Sequence, residues 1–149
     1  MQGYFVSHDT KGVVMSNFTP AEIEYLNSQR LGRLATVNQA GEPHVVPVTF
    51  RYNPELDTID IGGHNIGQSK KFRDVAHNAN VAFVVDDVLP PWQPRFLEIR
   101  GRAEARSEGG QTVLPDFDPE LIRISPRRII SWGLSIDGSA VSHSSRKIG

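Results

Sequence analysis

The run RLGRLATVNQAGEPHVVPVTFRYNPELDTIDIGG, residues 30–63, reads as three strands separated only by the turn formers NQAGEP and NPELD. Connections this short join antiparallel neighbours, whereas a parallel sheet needs long crossovers. The run is therefore a β-meander. Val81 to Val85, Phe96 to Ala105 and a last strand in ISPRRIISWGL extend it. Two short helices complete the set. One is opened by Thr19-Pro20-Ala21-Glu22, a hydroxyl cap, a proline at the first helical position and a glutamate at the third, and should end near Gln29. The other begins at Ser69. The expected fold is mainly β, a six-stranded antiparallel split barrel, an arrangement that removes sheet edges.

A chain of 149 residues suits one domain. The expected boundaries are a leader over residues 1–17, flexible or foreign to the natural protein, with Met15 as another possible start; a cofactor-binding barrel over 18–136; and a flexible tail over 137–149. The net charge of −1 offers no global field for nucleic acid or an acidic membrane, so anion recognition has to be local. With no cysteine there is no disulfide, thiol nucleophile or thiolate metal site, in keeping with a reducing cytosol. No stretch nears the roughly 18 apolar residues of a membrane helix, and the N-terminus lacks a signal core. A cytoplasmic protein is expected.

Local anion recognition has one candidate place. IGGHNIGQSKKFRDVAHNANVAFVVDD reads as strand, loop, helix and strand, and the helix carries Lys70, Lys71 and Arg73 at its start, where the helix dipole disfavours cations. An anion there reverses the sign. Gly62, Gly63 and Gly67 let backbone N–H groups converge, and Ser69 adds a hydroxyl, so the stretch is a candidate phosphate pocket. A solvated Lys70–Asp74 pair on an ordinary basic surface is the plain reading of the same residues. Walker and G-x-G-x-x-G spacings are absent. In the second strand Pro47 marks an edge, a bulge or an adjacent ligand, and Thr49 and Arg51 share its face as candidate contacts.

The remaining chemistry is sparse. His64 beside the glycine pair is a candidate for ligand contact or proton transfer; His8 and His143 fall in the expected terminal segments, and no histidine spacing suggests a metal. Asp86 and Asp87 point to opposite faces of a strand and make no dyad. Trp132, preceded by Arg127 and Arg128, is the better of the two tryptophans for stacking on a flat anionic ligand.

Taken together, RLGRLATV, GEPHVVPVTFRY, TIDIGGHN, SKKFRDVAHNANVAFVVDD, FLEIRGRAEA and ISPRRIISWGL resemble the pyridoxamine-phosphate-oxidase-like, FMN-binding split barrels. They are most similar to the branch that uses the deazaflavin coenzyme F420 and includes the reductase of tetracycline biosynthesis. The resemblance implies a homodimer with cofactor clefts between subunits. Pro47, Val48 and Thr49 would face the ring; Arg51, Gly63, His64, Ser69, Lys70 and Lys71 would hold the phosphate; Trp132 would reach the cleft from one of the subunits. Arg73, Arg95 or Arg127 would meet the acidic tail of the deazaflavin. The implied activity is hydride transfer from reduced F420 to a conjugated C=C or C=O of a small organic substrate, with His64, Tyr52 or solvent supplying the proton. An FMN-dependent oxidoreductase, or a flavin or haem binder without turnover, is the alternative.

Overall fold

A computed structural model describes residues 3–7, 13–135 and 143–149, with backbone alone for residues 4–7, 13 and 14. The strands are β1 (Tyr4–Ser7), β2 (Val13–Ser16), β3 (Leu31–Val37), β4 (Pro43–Asn53), β5 (Thr58–Gly62), β6 (Asn80–Leu89), β7 (Gln93–Arg106), β8 (Leu121–Trp132) and β9 (His143–Lys147). The helices are α1 (Pro20–Ser28) and α2 (Lys70–His77). β1 and β2 form a separate hairpin. The main sheet runs β5-β4-β3-β6-β7-β8-β9, and β5 also pairs β8 through Ile59, Asp60 and Ile61. That last pairing closes β3 to β8 into the expected six-stranded antiparallel barrel.

Turn chemistry fixes the meander. Asn38 accepts from the amides of Ala40 and Glu42 at 3.0 and 2.9 Å, and Asn53 from those of Glu55 and Leu56 at 3.0 and 3.1 Å. Each side-chain oxygen takes the place of a backbone acceptor in its turn. The barrel interior is filled by alternate strand residues such as Leu34, Ile61, Phe83, Ile99 and Ile122, all fully buried. Phe83 meets Phe50 edge to face at 5.2 Å. A Cβ on Gly32 would lie 2.3 Å from the Phe83 ring, so that position admits no side chain.

The helices close opposite mouths. α1 starts with the expected capping box, Thr19 and Glu22 exchanging hydrogen bonds of 2.9 and 3.1 Å, and covers the end where Tyr52, Asp87 and Arg95 lie. Tyr25 donates to Asp87 at 2.9 Å, and Arg95 grips Asp87 at 2.9 and 2.6 Å. α2 covers the other end through Asp74, which accepts from Thr36 at 2.9 Å. Among the described residues, no helix is long and apolar enough to cross a membrane.

Both terminal segments contact the barrel where they are described. Leader residues Ser16 and Asn17 are tied to the β4–β5 turn, donating to Asp57 at 2.6 and 2.8 Å. The tail supplies β9, paired with the second half of β8. Its Arg146 enters a buried pair with Glu22 and donates to the Asn17 carbonyl at 2.7 Å. His8 and residues 137–142 lie outside the described residues. Asp86 and Asp87 do part to opposite sides, Asp86 meeting Arg33 at 3.5 Å.

Candidate functional site

The barrel is split along β4. This strand pairs β3 from Pro43 to Thr49 but pairs β5 only from Thr49 onward, so its first half has no strand on the β5 side among the described residues. Pro47 sits in that open half, where a missing N–H costs no ladder bond. The chain leaves β5 at Gly62, makes a short 3-10 turn over Ile66–Gln68 and enters α2. The split therefore lies between the open half of β4 and the loop leading to Lys70.

On β4, Pro47 is exposed and Thr49 and Arg51 half-buried on the outer side. The Val48 side chain points inward and is buried in the core, leaving only its backbone to meet a ligand. Among the described residues, Arg51 has one ion-pair partner, exposed Glu55 at 3.8 Å.

The glycine loop corrects part of the sequence reading. A Cβ on Gly62 would come 2.9 Å from Phe117 and 3.1 Å from Val113, and one on Gly67 3.1 Å from Glu120. These glycines make room for the segment 109–120 of the same chain. One loop amide is already taken as well, since Asn65 donates to Asp118 at 2.8 Å. Gly63 remains open, and exposed His64 stands edge-on to Phe117 at 5.2 Å.

Ser69 caps α2, accepting from the Phe72 amide at 3.3 Å and donating to the Ile66 carbonyl at 2.6 Å. The two lysines after it part company. Lys70 reaches both oxygens of Asp74, at 3.2 and 3.1 Å. This pair is not the solvated one considered above, because the Asp74 side chain is only 6% exposed. Burial pushes the Asp74 pKa up, but hydrogen bonds from Lys70 and Thr36, with the charges of Lys70 and His44, outweigh it and hold the carboxyl below its usual range. Lys71 is half-buried, and among the described residues no carboxylate lies within ion-pair distance of it. Burial alone draws its pKa down. A desolvated cation at the start of a helix is an unfavourable arrangement that an incoming anion relieves.

Other expected residues lie apart. Tyr52 is buried at the α1 end, donates to Asp57 at 2.7 Å, and has its pKa raised mainly by burial, with a hydrogen bond to Ser16 opposing and Asp57 assisting. Trp132 is opposite Phe96 and stands 5.7 Å from His143. The span of β7 from Phe96 to Arg102 separates it from the α2 end of its own chain, roughly 20 Å. Arg95 is committed to Asp87 and to the Tyr25 ring, 4.8 Å away. Arg73 donates to the Gln68 carbonyl at 2.9 Å.

Two groups escaped the sequence reading. His44 faces Thr36 across β3–β4, and its buried Nδ1 has no hydrogen-bond partner among the described residues. Asp60, wholly buried, accepts from Arg123 at 3.0 and 3.0 Å, from Asn53 at 2.9 Å and from Thr58 at 3.0 Å. The signal for this second group was present: Asp60 sits between Ile59 and Ile61, and Arg123 between Ile122 and Ile124, charges embedded in apolar runs.

The family model for pyridoxamine 5'-phosphate oxidase matches residues 18–133. The chain belongs to this family. Within the family's reach, it is 50% identical over 128 residues to the 5a,11a-dehydrotetracycline/5a,11a-dehydrooxytetracycline reductase of Streptomyces rimosus, covering 85% of this chain and 90% of that protein. The oxidase-family fold recurs in the conserved hypothetical protein Rv2991 of Mycobacterium tuberculosis, at a TM-score of 0.64 and 21% identity over 78% of this chain and 85% of that one. It recurs also in a FAD-binding protein of Mesorhizobium loti, at a TM-score of 0.59 and 20% identity over 76% and 93%.

Proposed function

We propose that this chain is a cytoplasmic reductase that binds the deazaflavin F420 and reduces a conjugated C=C or C=O of a small organic substrate. The observation that carries the reading is Lys71, a half-buried cation without a carboxylate partner among the described residues, in the first turn of the helix that follows the loop leaving β5. The 50% identity to a reductase of 5a,11a-dehydrotetracyclines supports the choice of reaction. Resemblance to the F420 branch supports the deazaflavin over FMN.

The residues fit such a coenzyme. Lys71 would take the phosphate with little competition, and Lys70, anchored by Asp74, would stiffen the first turn of α2. Arg51 would swing from Glu55. The unpaired backbone of Pro47, Val48 and Thr49 would face the ring. F420, when bound in its reduced form, would supply the hydride. Of the two side chains considered as proton donors, His64 alone is exposed beside the loop, and we assign it the proton delivered to the substrate.

The outer sides of β3, β4 and β6 support a homodimer. Leu31 and Val45 are 50% and 63% exposed there, and Ala35, Ala82 and Val84 border a shallow cleft of about 250 Å³. A second copy on this face would cover apolar surface. It would also offer a route by which a partner's late aromatic, the equivalent of Trp132, reaches the split.

Turnover tests the reading. With reduced F420 and a 5a,11a-dehydrotetracycline as acceptor, the oxidised coenzyme should return together with an acceptor that has gained two hydrogens. Turnover with reduced FMN and none with F420 would overturn the assignment.

A further inference from the structure

Residues 63–65, between β5 and α2, are poorly fixed by their own sequence. Gly63 has no side chain, and a Cβ placed there would meet nothing nearer than Ile66 at 3.8 Å. Asn65 lies in the left-handed region, at a φ of 57°, and its side chain makes no cap to the turn that follows. His64 between them is exposed. A loop of this kind samples many backbone states unless distant contacts select one.

The segment 109–120 supplies those contacts. Asp118 donates its amide to the Gly63 carbonyl at 3.3 Å and accepts from the Asn65 amide through Oδ2 at 2.8 Å. Phe117 brings its ring to 5.2 Å from the His64 imidazole, at an interplanar angle of 84°. The backbone is thus fastened on each side of His64, and its ring is braced in between. The segment has a footing of its own. Buried Gly110 donates to the Pro119 carbonyl at 2.8 Å, and a Cβ on it would fall 1.9 Å from the Asp118 carbonyl oxygen. Val113, also buried, shares with Phe117 the space that Gly62 leaves. All these contacts lie ahead of Ser69 and the lysines of α2.

We propose that Phe117 and Asp118 are positioning residues, which hold His64 in the orientation from which it delivers its proton. The inference rests on the assignment of His64 above. His64 gives a proton from an imidazole nitrogen to the substrate atom that becomes negative and, as an exposed group, takes one back from water. Such a transfer needs donor and acceptor within roughly 3 Å, so a ring free to swing spends little time in reach. Two bonds to the neighbouring backbone fix where the ring stands, and the perpendicular Phe117 ring fixes its plane. Among the described residues, no hydrogen bond occupies either imidazole nitrogen, so both stay available.

The test has two arms on the full chain. In the protein without coenzyme, the Phe117 ring should displace the His64 ring-proton resonances in the NMR spectrum. Phe117→Leu and Asp118→Ala should both move them toward ordinary positions, while Asp118→Asn, which keeps an accepting oxygen, should stay near the parent. In turnover with reduced F420 and a 5a,11a-dehydrotetracycline, Asp118→Ala should lower kcat on the order of tenfold at unchanged F420 affinity, and Asp118→Asn should restore most of it. In a His64→Gln background Asp118→Ala should cost nothing further. Resonances unmoved by Phe117→Leu and Asp118→Ala, an equal loss in both backgrounds, or a parent-like kcat in Asp118→Ala beside a slowed His64→Gln overturns the clamp and leaves the proton donor standing. His64→Gln at the parent's kcat, or a parent without turnover, overturns the proton-donor reading itself, and this proposal falls with it.

Discussion

The ammonium of Lys70 lies 3.2 and 3.1 Å from the two carboxylate oxygens of Asp74, one helical turn further on, and Thr36 holds the second of those oxygens from the barrel wall. Lys71, next in sequence, has no such partner among the described residues. Two adjacent lysines therefore stand differently: the first fastens α2 to the barrel mouth, and the second keeps a half-buried charge without a carboxylate partner among the described residues.

Stability should separate the two. Lys70→Ala strips a buried carboxylate of its cation, but Lys70 is 43% exposed and its pair is partly screened, so the loss should be about 1–2 kcal/mol. Lys71→Ala removes a charge that burial disfavours and should leave stability unchanged or slightly higher. Urea midpoints of the two variants check this.

Acid should loosen the fold. Asp74 and Asp87 both have native pKa values below their unfolded ones. For Asp87 the hydrogen bond from Arg95 is the largest cause, with Tyr25 assisting against burial. Depressed carboxylates contribute stability that is present above an unfolded pKa of about 4 and is lost as pH falls through the native values. Midpoints measured from pH 6 down to 3 should decline most below about pH 4, and Asp87→Asn should decline less steeply.

Alkali should act through two tyrosines. Burial first, then Asp87, raises Tyr25, and burial first, then Asp57, raises Tyr52. Groups raised in the fold contribute stability that is complete below an unfolded pKa of about 10 and is lost as pH climbs past it. Tyr52→Phe should flatten that loss. It should also leave turnover intact, as its hydroxyl is occupied away from the split, whereas a large fall in kcat would restore Tyr52 as the proton donor.

The C-terminal strand is held from the side of α1. Glu22 is 1% exposed and shares its carboxylate between the helix cap and Arg146. Arg146→Ala leaves that charge buried with only its cap bond and should cost about 3 kcal/mol. Equilibrium unfolding measures the loss, and hydrogen exchange should show β9 opening with it.

Much of this was legible in the sequence where local chemistry decides. Asn38 and Asn53 announce their turns, Thr19 and Ser69 their helices, and Pro47 the open half of β4. What stayed hidden depends on contacts between distant segments. HSSRK has no apolar face and becomes β9 because Arg146 finds Glu22. Gly62 reads as an anion loop until Phe117, from an irregular segment without periodicity, packs against it. Asp74 looks like one half of a surface pair, and only Thr36 on the inner side of β3 reveals that it plugs the barrel.

The most direct test of the account is equilibrium binding of oxidised F420 and of FMN to the purified protein and to Lys71→Ala. The account predicts selective binding of F420 by the parent chain and an affinity lower by about tenfold to a hundredfold in the variant, the effect of one charge-assisted contact. Preference for FMN, or F420 bound equally well without Lys71, would contradict it.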